Sequence, residues 1–256
     1  MNNVVSFESR SDRLIGWSPS RAKKRGAEKQ AHVLNWLYHW GYGSASTIVA
    51  ASGAEDRGYT QRLVRAGLIR PVPTTRCPTT ATIFVLTRDG LEQARSQTEV
   101  HLDYPELDSR RVNQVNVRHN LIAQRELLAR LPEFHSWRSD RDFGQNMPEA
   151  KRPDGGLVDT LGHVLGIEIE LTGKWGRRLD QLAIRMVVSI AQEKFAGFLV
   201  LCASNNMIER YRAVLAPGHQ IRKWEQIGSK WVQRGCYYPI PKQIADKISV
   251  QVLRKI

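Results

Sequence analysis

The chain has 256 residues, 41% of them hydrophobic, and carries a formal charge of +13 with an isoelectric point near 10.0. That supports one large or two small cored domains and points to a polyanionic partner, most simply nucleic acid, although a ribosomal or membrane-surface protein shares the same balance. The three scattered cysteines, Cys77, Cys202 and Cys236, exclude a disulfide framework and any zinc spacing, and they favour a reducing cytoplasm. No apolar run is long enough to span a membrane, and no secretory leader is expected.

The basic excess is not confined to a tail. Residues 1–100 hold 14 Lys and Arg against 8 Asp and Glu, and the remainder holds 24 against 17. Residues 1–26 read as a basic flexible arm, with Arg10, Arg13, Arg21, Lys23, Lys24 and Arg25 set among Ser and Pro. Such an arm is either solvated or tracks phosphates. A helix is expected over 27–40, with Val33, Leu34, Leu37 and Trp40 at core spacing. A short helix follows Ser44 as N-cap and ends at Gly53. A third runs from about Glu55 to Ala66. Two short strands, 68–72 and 82–87, then flank the polar stretch 73–80.

Three helices and a hairpin in that order predict a winged helix-turn-helix over 27–100, whose third helix would enter the major groove. Its expected outer face offers Arg57, Tyr59, Thr60, Gln61, Arg62 and Arg65, and the wing offers Thr74, Thr75 and Arg76. These residue types contact base edges or phosphates. Residues 101–115 read as a linker, and 116–256 as a second domain.

That second domain is expected to open with a helix over 116–131, striped by Leu121, Ile122, Leu128 and Leu131 and stopped by Pro132. Strands are expected over 134–143, 156–160 and 163–172, then a helix over 177–194, a buried apolar strand over 196–202, and a helix over 205–215. Trp224, Trp231, Tyr237 and Tyr238 lie among Lys and Arg in the tail. They either finish the core or stack on single-stranded bases. Residues 248–253 read as a last strand.

If Gly166–Lys174 is a strand, its period of two puts Glu168, Glu170, Thr172 and Lys174 on one face and Ile167, Ile169 and Leu171 on the other, toward a core. Asp154 sits a short strand and turn upstream. Carboxylates from neighbouring strands suit a hard divalent cation, and a lysine beside them suits a phosphate or an attacking water. The seven histidines include no His-x-His pair, which disfavours a three-histidine metal cluster. Tyr211, Tyr237 and Tyr238 are read as structural, with water or a tyrosine left open as the nucleophile.

Pro153-Asp154, then Glu168-Ile169-Glu170 and a lysine beyond, resembles the PD-(D/E)xK nuclease signature. The sequence departs from that pattern: Thr172 holds the lysine position relative to Glu170, and Lys174 lies two residues further on. With the predicted winged helix, Arg118-His119-Asn120-Leu121, Arg152-Pro153-Asp154-Gly155 and Glu170-Leu171-Thr172-Gly173-Lys174, the chain resembles the MobC-type mobilisation relaxases and the related plasmid replication-relaxation family. The resemblance covers about Lys29 to Leu215. It implies an α+β or α/β protein: a winged helix-turn-helix, then a restriction-endonuclease-like αβββαβ domain. It further implies a DNA-nicking enzyme for conjugative mobilisation at a plasmid transfer origin. Mg²⁺ or Mn²⁺ would be held by Asp154, Glu168 and Glu170, with Lys174 as the electrophilic lysine. Its partners would be duplex and single-stranded DNA and other mobilisation proteins. Two rivals stand beside it: a site-specific double-strand endonuclease, and a non-catalytic DNA-binding protein with a degenerate nuclease fold.

Overall fold

The computed structural model describes residues 18–54, 58–144 and 152–254. It is a mixed α/β structure that divides into two compact units, Met1–Asp142 and Phe143–Ile256. Among the described residues no helix is long and apolar enough to cross a membrane.

The first unit begins with α1 (Pro19–Trp40). The Ser18 hydroxyl accepts the Arg21 N–H at 3.3 Å, and Pro19 stands in the first turn, where its missing N–H costs nothing. The expected arm is therefore helical from Pro19. Residues 1–17 of it, with Arg10 and Arg13, lie outside the described residues. α2 (Ala45–Ser52) is capped by Ser44 and ends at Gly53 with φ 59°. α3 (Tyr59–Arg65) precedes an antiparallel hairpin of β1 (Ile69–Pro73) and β2 (Thr82–Leu86). Then come α4 (Arg88–Arg95), α5 (Val117–Arg130) and β3 (Ser136–Ser139).

The expected linker does not separate the two units. Tyr104 is buried, donating its hydroxyl to the Gly41 carbonyl at 2.6 Å and accepting the Leu86 N–H at 2.9 Å. Glu106 is buried as well and pairs with Arg141. α5 is joined to the same unit by Gln124, which accepts from Trp36 Nε1 at 3.1 Å and donates to the Tyr42 carbonyl at 2.9 Å. A fully buried amide satisfied at both ends fixes this helix against α1, because leaving either end unpaired would cost about 1–3 kcal/mol. The division between units thus falls at Asp142 instead of within 101–115.

The second unit contains β4 (Gly155–Val158), β5 (Val164–Glu170), α6 (Arg177–Ala191), β6 (Gly197–Cys202) and α7 (Asn205–Val214). A hairpin of β7 (Arg222–Ile227) and β8 (Lys230–Cys236) follows, then α8 (Lys242–Ala245) and β9 (Ile248–Val252). The mixed sheet of this unit has the strand order β4-β5-β6-β9. β4 is antiparallel to β5, while β5, β6 and β9 are parallel. Phe198, Val200 and Cys202 of β6 pack with Leu179, Leu182 and Met186 of α6 and with Met207 and Tyr211 of α7. Parallel strands covered in this way need nearly continuous apolar sequence, which β6 has.

The sheet closes tightly at Gly197. A Cβ there would fall inside contact distance of the Lys247 carbonyl oxygen, with backbone on both sides. Gly197→Ala is expected to lower the thermal midpoint by about 4 °C or more, the usual result of overpacking. An unchanged midpoint would contradict the register between β6 and the segment leading into β9.

Candidate active site

β4 and β5 are antiparallel, their register running from Val158 opposite Val164 to Gly155 opposite Ile167. Asp154 stands just before β4, outside that register. The Asp154 N–H donates to the Ile167 carbonyl at 2.8 Å, and its Oδ2 accepts the Ile169 N–H at 2.7 Å. Asp154 therefore anchors the start of β4 on β5.

β5 ends at Glu170, so alternation aligns only Glu168 and Glu170, and the expected four-residue face is corrected. Thr172 and Lys174 follow the strand. Lys174 returns across the intervening residues, its ammonium meeting Glu170 Oε1 and lying 3.8 Å from Glu168 Oε1. The glutamate face is not the open one. Glu168 sits beside Val200 and Glu170 beside Cys202, on the side of the sheet that α6 and α7 cover. Glu168 and Glu170 are 3% and 2% exposed. Both faces of β5 are buried, as its parallel pairing with β6 requires.

A carboxylate in so dry a place, beside another, holds its proton more tightly. Burial pushes the Glu170 carboxyl above the usual carboxylate range, and Glu168 adds to the shift. Lys174 and the Tyr211 hydroxyl oppose it. Tyr211, on α7, is fully buried, donates to Glu170 and accepts the Lys174 N–H at 3.3 Å. Burial and Glu170 together drive its phenol far above its ordinary value. The Cys202 thiol is pushed up to about 11, first by burial and then by Glu170. Neither group is poised as an anionic nucleophile. Arg210 of α7 reaches the Lys174 carbonyl at 3.5 Å and lies over the exposed ring of Trp175.

The structure thus brings Glu168, Glu170 and Lys174 together, with Asp154 bound to the backbone of Ile169 between the two glutamates. Oxygen-only donors of this kind suit Mg²⁺ or Mn²⁺ in chemistry. Among the described residues, however, no three His, Cys, Asp or Glu side chains are gathered closely enough to hold a metal ion. By sequence Tyr211 is a nucleophile candidate read as structural, and nothing marks Arg210. Adjacent on α7, both become legible only once the groups they meet, Glu170 and Lys174, are known.

The expected DNA face of α3 is partly corrected. Tyr59 and Thr60 are 7% and 2% exposed and turn inward, since the helix needs them to close its own core. Gln61, Arg62 and Arg65 are exposed, as is Arg76 between β1 and β2. Arg57 lies outside the described residues.

A buried carboxyl with raised proton affinity stabilises the fold when protonated. That contribution is full at acidic pH and lost as pH rises through the raised value. Glu170→Gln is therefore expected to melt above the wild type near neutral pH, with the gap closing as pH falls through the ordinary carboxylate range. A variant melting below the wild type near neutral pH would mean that the Lys174 attraction outweighs burial. No family model, curated protein or solved structure matches the chain.

Proposed function

We propose that this chain is a metal-dependent DNA strand-nicking enzyme, a relaxase of conjugative mobilisation acting at a plasmid transfer origin. The observation that carries the reading is the group at the end of β5: two buried glutamates meeting one lysine, with Asp154 tied to the same strand through the Ile169 N–H. A protein gains little stability from two adjacent buried carboxylates, so a chemical use is the better account of them. The chain order α5, β3, β4, β5, α6, β6 supports a restriction-endonuclease-like domain. Three helices, the β1–β2 hairpin and the exposed Gln61, Arg62, Arg65 and Arg76 support a winged helix-turn-helix reading duplex DNA. The charge of +13 supports a polyanionic substrate.

To hold Mg²⁺ or Mn²⁺, Asp154, Glu168 and Glu170 would have to draw closer together than they stand here; a cation bound there would supply charge neutralisation at the scissile phosphate. Lys174 has three donors on a flexible stem, so its ammonium can leave the glutamates for a phosphate oxygen and stabilise charge developing there. Tyr211 orients Glu170 through its hydroxyl and holds the backbone N–H of Lys174, which keeps the carboxylate and the lysine in one geometry. A phenol held in this way positions other groups and is a poor attacker.

A second reading, a DNA-binding accessory protein without cleavage, is favoured by one observation: Asp154 already spends an oxygen on the Ile169 N–H. The two are separated by converting supercoiled plasmid carrying a transfer origin in the presence of Mg²⁺ or Mn²⁺. Open circles that require the origin are expected from the wild type, with at least a ~100-fold loss of rate in Asp154→Asn and in Lys174→Met. Binding without cleavage in either metal would establish the accessory protein. Linear product would establish a double-strand endonuclease.

A further inference from the structure

The β7–β8 hairpin is exposed along nearly its whole length, only Trp224 being half-covered. A bare two-stranded ribbon is marginal in water, so this one has to be held from its base. Asp180, buried in the first turn of α6, accepts from Arg222 Nε at 2.9 Å and from Trp224 Nε1 at 2.8 Å. Ile221 and Ile240, just outside the two strands, are buried, and the Tyr237 N–H donates to the Ile221 carbonyl at 2.8 Å. The ribbon is thus rooted beside the start of α6, the helix that follows Lys174.

Its side chains do not suit a core. Trp224 faces Gln233 and Gln226 faces Trp231, so both indoles share one face. Trp231 remains 39% exposed, with the Arg177 guanidinium 4.2 Å from its ring centroid. Arg177 is three residues from Lys174, and between them Trp175 is 67% exposed with Arg210 on its ring. The opposite ribbon face carries Lys223, Lys230 and Arg234 against the single acid Glu225. Tyr238, 95% exposed, borders a cleft of about 420 Å³ with Lys223 and Tyr237.

Indoles backed by guanidinium groups, beside lysines, are matched to a flat aromatic ring on a polyanionic chain. We propose that the β7–β8 ribbon, with Trp175, is a base-stacking grip for a nucleic-acid single strand next to the carboxylate–lysine site. The ligand class rests on the nucleic-acid reading above, and the grip itself does not require that the chain cleave. An apolar protein partner would bring no anion to Lys223 and Lys230, since Glu225 pairs with Arg234, and a duplex keeps its bases stacked on one another and out of reach of an indole.

The test is the anisotropy of a labelled oligo-dT strand titrated with the full chain in EDTA, beside a labelled duplex and sedimentation with anionic phospholipid vesicles. Trp231→Ala, Trp175→Ala and Tyr238→Ala are each expected to weaken single-strand binding at least about fivefold. Trp231→Phe should retain most of the affinity, and duplex binding should not change. Tyr238 is so exposed that its replacement leaves the fold intact, which keeps the test open if a tryptophan variant unfolds. A wild type that ignores oligo-dT, unchanged affinity in all three alanine variants, or equal losses on duplex would overturn the proposal. So would vesicle binding that depends on Trp231 while oligo-dT binding does not. Because no divalent metal is present, loss of the grip and loss of the nuclease reading are separate results.

Discussion

Two carboxylates held out of water on one strand dominate the second unit. β5 cannot expose Glu168 and Glu170, because its parallel pairing with β6 places both on the helix-covered side of the sheet. Uncompensated, such charges are costly; removing one partner of a buried ion pair typically costs about 3–5 kcal/mol. The ammonium of Lys174 meets the demand from beyond the strand end, and Tyr211 meets part of it from α7. On the proposed function, a bound cation would take the place of that ammonium and leave it for a phosphate oxygen.

The surroundings of this group are organised by α6. Its apolar side, through Leu179, Leu182 and Met186, covers the sheet. Its first turns hold the root of the β7–β8 ribbon through Asp180 and the ring of Trp231 through Arg177. One helix therefore fixes both the ceiling of the carboxylates and the base of an exposed aromatic arm. Asp180 serves the arm as Glu170 serves the site: each is a buried acid whose charge is met by a cation from a neighbouring segment.

Much of this was legible from local sequence. The apolar run of β6, the stripe along α6, the Ser44 and Gly53 ends of α2 and the closing strand β9 all follow from periodicity and capping. Ser18-Pro19 was an equally good helix start, but the basic composition around it was read as an arm. The misreadings that matter arise from tertiary context. Period two said which residues share a face of β5 but not which face the helices would cover, nor that the strand stops at Glu170. Helical spacing on α3 did not show that Tyr59 and Thr60 close its core. Composition marked 101–115 as a linker, whereas Tyr104 and Glu106 anchor it from within. The ribbon escaped notice because its strands lack the apolar alternation by which half-buried strands are recognised.

The central claim of the proposed function is that Lys174, at Glu168 and Glu170, stands where a bound cation would. Paramagnetic resonance of Mn²⁺ titrated into the protein without DNA tests it most directly. The account predicts saturable binding by the wild type, weakened or abolished in Glu168→Gln and Asp154→Asn, and tightened in Lys174→Met, where the competing ammonium is gone. Mn²⁺ binding that is absent from Lys174→Met, or indifferent to all three substitutions, would contradict it.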